Sequence, residues 1–274
     1  GNVTITNVPD ETVGQLIVEN NTSVTLRDQT SGGTTPSTIT ITGRNSGTDL
    51  VIENGSSLIY DTGNNLSLNY LIISLVSGAS AEISGNLDFT KSFSGSAPRH
   101  KLTAEDFESV RVTSTGQIRA FSLSSASDEH PFGRLGQNET IIFESGSVYE
   151  SYSGNNPFGS DQPNSKVRFE SGSVYQHIGN HGFAIGGRQY AEFEYQNSSS
   201  PQTLLFGTSN GWSTENIRIL QGTLTLSGST NSLPFNINVS GDFEIASGAT
   251  FNYTPAGSLP GAASTFSFNG SGQQ

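Results

Sequence analysis

Two carboxylates recur at the same place in a repeated octapeptide. Glu144 lies in FESGSVYE (143–150), and Glu170 lies in the near copy FESGSVYQ (169–176). If the two segments stack as neighbouring coils, Glu144 lies over Glu170 and Glu150 over Gln176. Two carboxyl groups about 5–5.5 Å apart are what a retaining glycosidase uses, and clustered carboxylates also suit calcium. Tyr149 and Tyr175 form a second ladder, with Tyr152, Tyr190, Tyr195 and Trp212 nearby in sequence. Exposed aromatic faces stack on flat ligands such as sugar rings. Glu144, Tyr149, Glu170, Tyr175 and Trp212 are therefore the candidate glycan-binding residues. Each also has a plainer reading, which the sequence favours: solvated turn carboxylates and core aromatics. Alternation puts Phe143 inside, but the intervening Gly turn can reset the phase, so the side taken by Tyr149 stays open.

The four histidines are His100, His130, His177 and His181. His177 and His181 have a spacing that gathers metal ligands on a helix, which this region does not resemble. With Arg188 and Tyr190 they make a lyase-like set for proton abstraction, against which simple loop solvation weighs more. No catalytic residue, cofactor or specific metal motif is assigned; calcium is an option without a motif behind it. Thr-x-Thr pairs at Thr4/Thr6, Thr38/Thr40/Thr42 and Thr223/Thr225 raise an ice-binding face. They sit far apart, and Thr is common in strands for its β propensity alone.

These residues need a scaffold, and internal repetition identifies it. Aligning 131–156 on 157–182 gives 11 identities without a gap, and a degenerate third unit opens at Phe183. A looser pattern runs elsewhere, in which an apolar alternation meets a Gly turn and a second alternation follows. The turn glycines are Gly55, Gly78, Gly116, Gly146, Gly172 and Gly248. Segments such as VTITNV, TITITG and TLTLSG alternate apolar with polar residues, as strands do, and no helical stripe is present. One short strand cannot bury its apolar face alone, whereas stacked coils align their side chains into continuous columns.

Composition agrees. Only 32% of the 274 residues are hydrophobic and 13% are charged, with 32 Gly and no Cys or Met. A thin, elongated core needs fewer apolar residues than a compact one. The formal net charge of −12, from 24 acidic and 12 basic residues, repels phosphate backbones, so nucleic acid is excluded as a partner. No run approaches the ~20 apolar residues of a membrane-spanning helix, so membrane insertion is not expected.

HKLTAEDF (100–107), the PFG and FESGSVY units, GGRQYAEFEY (186–195) and the closing GDFEIASGATFNY and FSFNGSGQQ resemble repetitive secreted and cell-surface proteins of Bacteroidota. That resemblance implies a long β-helical chain, export by type IX secretion and a C-terminal sorting domain, which is not visible here. It implies no catalytic residues. The expectation is an all-β, single-stranded right-handed parallel β-helix with coils of about 20–30 residues. It forms one domain over 1–274, as a fragment of a longer protein. Its expected role is an extracellular structural or adhesive segment, with surface polysaccharide, other cell-surface proteins and the rest of the parent chain as partners. The alternative is a carbohydrate-binding or polysaccharide-degrading β-helix.

Overall fold

The computed structural model describes residues 1–28, 36–43, 47–61, 70–90, 100–121, 130–152, 157–199, 201–206, 211–228, 235–254 and 265–269. Residues 153–156 of the first tandem unit and the closing 270–274 lie outside them. The fold is all-β, with no helix among the described residues. Its strands form four sheets of twelve, four, six and three members, and every strand pairing is parallel.

From Asn2 to Ala120 the chain enters the twelve-, four- and six-stranded sheets in strict rotation. Asn2–Val8, Glu11–Val13 and Leu16–Val18 make the first round, one strand in each sheet. Beyond Lys101–Ala104 the four-stranded sheet stops, and the three-stranded one begins at Gln202–Phe206. Each strand pairs with the strand one round away. The step varies more than the sequence suggests: the round from Ser23 to its partner Ser57 is nearly twice as long as the round from Val174 to its partner Glu192. The twelve-stranded sheet has eleven strands on one continuous path. Ten intervals of about 4.8 Å make that stack about 48 Å long.

Register turns the apolar alternation into columns. Val24, Leu58, Leu87, Ile118, Tyr149, Tyr175, Phe193, Ile217 and Phe243 occupy one position on successive strands of the long sheet. On the six-stranded sheet Val18, Ile52, Ile83, Val112, Phe143 and Phe169 do the same. From Leu58 to Ile217, and throughout the second column, these side chains are buried. The columns become aromatic in the middle: Phe143 stacks on Phe169 at 4.6 Å and Tyr149 on Tyr175 at 5.5 Å.

The tandem units stack as their spacing predicts, with Val148, Tyr149, Glu150 and Ser151 opposite Val174, Tyr175, Gln176 and His177. Their E-S-G-S segments close as four-residue turns: Ser147 N–H donates to Glu144 O and Ser173 N–H to Glu170 O, both at 2.9 Å. Five of the six turn glycines have positive φ. Gly116 does not, and is required for another reason. A Cβ there would lie 2.1 Å from Ile83 O in the adjacent coil. Gly116→Ala is expected to destabilise the fold by about 2 kcal/mol or more, through forced separation of backbones. At Gly78, with φ of +89° and nothing within 4 Å, the same change leaves only the backbone term. It costs about 1 kcal/mol. Denaturant midpoints of the two variants check that order.

Candidate functional site

The strands carry the proposed ladders into two different environments. Tyr149 and Tyr175 point inward and are 0% and 1% exposed; Trp212 is 0% exposed. Phe143 and Tyr149 both face the core on either side of the turn that joins them, so the inward phase survives it. Tyr149 also meets Phe132 at 6.1 Å and Phe143 at 5.8 Å, and Trp212 meets Phe193 edge-on at 5.0 Å. Burial pushes the Tyr175 hydroxyl well above its ordinary pKa. A sugar ring has no access to these faces, which pack the interior instead.

Glu144 and Glu170 lie outward, beside each other, each held by an arginine. Arg111 Nε donates to Glu144 Oε1 at 2.6 Å, and Arg168 reaches Glu108, Glu139 and Glu170 at 2.6, 2.7 and 3.3 Å. Ile142 occupies the register position between Arg111 and Arg168 and is fully buried although its two strand neighbours also face the core. The arginine stems and their carboxylate partners roof that outward isoleucine. The carboxylates are thus committed to a charge-compensated cover, not poised as an unpaired acid and base. Among the described residues no three His, Asp or Glu side chains converge on a common metal position.

A similar ladder runs along the outer face of the long sheet. Asp88, Arg119, Glu150, Gln176, Glu194, Arg218 and Glu244 share one register position. Arg119 donates to both oxygens of Asp88 at 2.6 Å, and Arg218 sits 3.4 and 3.6 Å from Glu194 and Glu244.

The histidine set divides. His177 and His181 come together, ring centroids 4.5 Å apart, while Arg188 pairs with Asp161 and the Tyr190 hydroxyl donates to Ala184 O at 2.5 Å. Two residues that sequence reasoning missed join the histidines. Ser151 Oγ lies 2.7 Å from His181 Nε2, and His177 Nε2 lies 2.9 Å from Gln202 Oε1. A Ser–His contact is the arrangement of an activated nucleophile. Here Ser151 is 1% exposed, in the same inward column as His177 and Tyr195, so no electrophile can reach it. The contact satisfies buried polar groups where the column turns from Ala120 to polar side chains. Only the register, supplied by the FESGSVY repeat, could have revealed that Ser151 stands over His177.

Clefts occur on outer faces. One of about 670 Å³ lies over the four-stranded sheet and is lined by Ile72, Ser74, Lys101, Thr103, Arg134 and Leu135 among others. A neighbouring one of about 540 Å³ shares Thr38 with it and is lined by Asp10, Glu11 and Thr12. A third, about 430 Å³, lies beside Arg168, Gln189 and Glu215.

Comparisons of the chain with protein-family models, with curated proteins and with solved structures found no match.

Proposed function

We propose that the chain is a single-stranded right-handed parallel β-helix that serves as an extracellular structural or adhesive segment of a bacterial secreted or cell-surface protein. One observation carries this reading: the residues best suited to chemistry are used by the stack itself. The aromatic ladder fills the core, Glu144 and Glu170 hold arginines that roof Ile142, and Ser151, the nucleophile of the Ser151–His181 contact, is buried. Strict rotation among three sheets supports a helical winding, and the general preference of parallel crossovers supports a right hand. Surface placement and type IX export rest on the sequence resemblance. The alternative, a carbohydrate-binding β-helix, is favoured in its binding half by the cleft over the four-stranded sheet.

The test is small-angle scattering of the purified chain together with a reducing-end assay on mixed polysaccharides. An elongated particle, with a long dimension of at least about 48 Å and a cross-section of fixed size, is expected without release of new chain ends. A compact globular envelope would reject the rod, and steady release of reducing ends would reject a non-catalytic role.

A further inference from the structure

The stack is interrupted where the six-stranded sheet ends. Its last strand is Val167–Phe169, and among the described residues no ladder carries that strand to the next coil. The chain next passes Phe169 at Tyr190, with ring centroids 6.0 Å apart, against 4.6 Å between Phe143 and Phe169 where the ladder holds. The cleft of about 430 Å³ lies at this break, lined by Arg168 and Phe169 from one coil and by Gln189 and Tyr190 from the next. Beyond it the ladder resumes: Gln189 pairs with Ser213, and Ser213 with Asn238. All three line the cleft, and their strand neighbours, such as Trp212 and Thr214 around Ser213, are buried, so the three point outward.

Outward amides elsewhere on the long sheet are committed to the stack itself. Gln117 donates to Glu150 at 2.5 Å, Gln176 to Glu194 at 2.8 Å and Asn216 to Glu192 at 2.6 Å, each time on an adjacent coil. Gln189 and Asn238 instead stand on either side of Ser213, and the side chains of all three make no hydrogen bond to any described residue. Two amides and a hydroxyl, about 4.8 Å apart from one to the next, keep their donors and acceptors for a ligand. The charged residues of the lining are Arg168 and Glu215. Arg168 is already held by Glu108, Glu139 and Glu170, and Glu215 accepts from Ser171 Oγ at 2.9 Å. Four carboxylates to one guanidinium leave a negative rim, which turns an anion away.

We infer that this cleft binds a segment of neutral saccharide, whose hydroxyls pair with Gln189, Ser213 and Asn238. Sugar hydroxyls donate and accept at once, as a serine hydroxyl does and as an amide does through its two ends, so the pairing needs no charge. Phe169 and Tyr190 in the lining add apolar atoms for the C–H groups of a sugar ring. A volume of about 430 Å³ falls within the usual range for organic ligands. A column with one polar side chain per coil suits a repeating ligand, because the strand spacing is comparable to the advance of one sugar ring along an extended chain. This inference deepens the adhesive reading by giving it a ligand class, and rests on it for its setting.

Isothermal titration calorimetry of the purified chain with maltohexaose, cellohexaose, mannohexaose and xylohexaose tests it, with hexagalacturonate and hexameric glucosamine as charged comparators. Saturable binding of at least one neutral hexamer, tighter than that of either charged one, is expected. Gln189→Ala with Asn238→Ala should weaken it about tenfold or more, as the loss of two or more hydrogen bonds does. Ser213→Ala should weaken it less, and Gln176→Ala, outside the cleft, should leave it unchanged. Circular dichroism and melting control for folding, and the single changes Gln189→Ala and Asn238→Ala, each with a smaller loss, stand in if the double variant does not fold. No binding of a folded chain to any of the four neutral hexamers would overturn the site, as would equal or tighter binding of a charged one. So would binding undiminished by the cleft variants, which would place the sugar elsewhere, the cleft over the four-stranded sheet included. A folded rod that binds none of them loses this inference alone; a compact particle in scattering loses the scaffold reading.

Discussion

Tyr149→Ala is expected to lower the unfolding free energy by about 3–5 kcal/mol, the usual range for removing a large buried aromatic ring. The ring has no exposed surface and lies between Ile118 and Tyr175 in its column. It also contacts Phe132 and Phe143, so the space it vacates is bounded by rigid rings on several sides. Strand backbones above and below fix the coil spacing, which limits collapse into the cavity. Glu144→Ala, by contrast, removes a side chain that is 29% exposed and paired to a half-exposed arginine. Its effect should be about 1 kcal/mol or less. Urea denaturation of both variants separates a core role for the tyrosine from a ligand-facing one. A Tyr149/Tyr175 double-mutant cycle should add a coupling of about 0.5–1.5 kcal/mol, since the rings stack at 5.5 Å. An unchanged midpoint for Tyr149→Ala would place the ring outside the core and reopen a binding role for it.

The same residues show what could be read from the chain without coordinates. The tandem repeat determined that Phe143 lies on Phe169 and Tyr149 on Tyr175, because two ungapped copies in succession leave one register. Turn glycines were legible because a corner asks for positive φ, as at Gly55, Gly146 and Gly172, or for close approach, as at Gly116. Inward or outward direction was not legible for Tyr149. Strand alternation predicts a face only within one strand, and the turn that follows Phe143 has to be counted in three dimensions. Trp212 was obscured for a related reason: it begins the long strand Trp212–Gln221, which pairs through its first part with Asn236–Val239 and through its later part with Phe243–Ile245.

Long-range pairings outside the tandem units were hidden by unequal steps. Thr12, Thr40, Ser74 and Thr103 are unevenly spaced along the chain, so no fixed period finds them although hydrogen-bonded register aligns them. The sequence therefore presents scattered Thr-x-Thr pairs where the fold presents one column. Ion pairing was hidden likewise. Arg168 gathers Glu108 and Glu139 from two earlier coils, a grouping that composition reports only as scattered charge. Acidic excess and repeat structure were readable locally; which carboxylates are compensated depended on the height of each coil.

Acid should destabilise the chain through two enclosed histidines, with most of the loss between pH 6.5 and about 4. Burial lowers His100 from 6.5 to about 4 despite the opposing field of Asp61, and burial likewise lowers His177 to about 4 despite its hydrogen bond to Gln202. Their neutral forms are fixed by their partners. Leu71 N–H donates to His100 Nδ1 at 3.0 Å, so that nitrogen must be unprotonated, and His177 Nε2 faces the acceptor Gln202 Oε1. Protonating His100 sets two N–H groups against each other, and protonating His177 places a charge in a column beside Tyr195, whose ring lies 5.6 Å away. In this window the unfolded chain binds more protons than the folded one, so stability falls as pH falls. The contribution is complete above the unfolded value, 6.5, and is lost once pH passes below the folded value, about 4. Each group accounts for about 3 kcal/mol by linkage. His100→Asn keeps an acceptor near Leu71 N–H, and His177→Gln keeps a donor toward Gln202. Both should reduce stability above about pH 7 by loss of packing, yet flatten the acid limb of the stability profile. Denaturant unfolding across that range decides it: parallel acid limbs for the two variants and the native chain would assign the acid sensitivity to the carboxylate ladders instead.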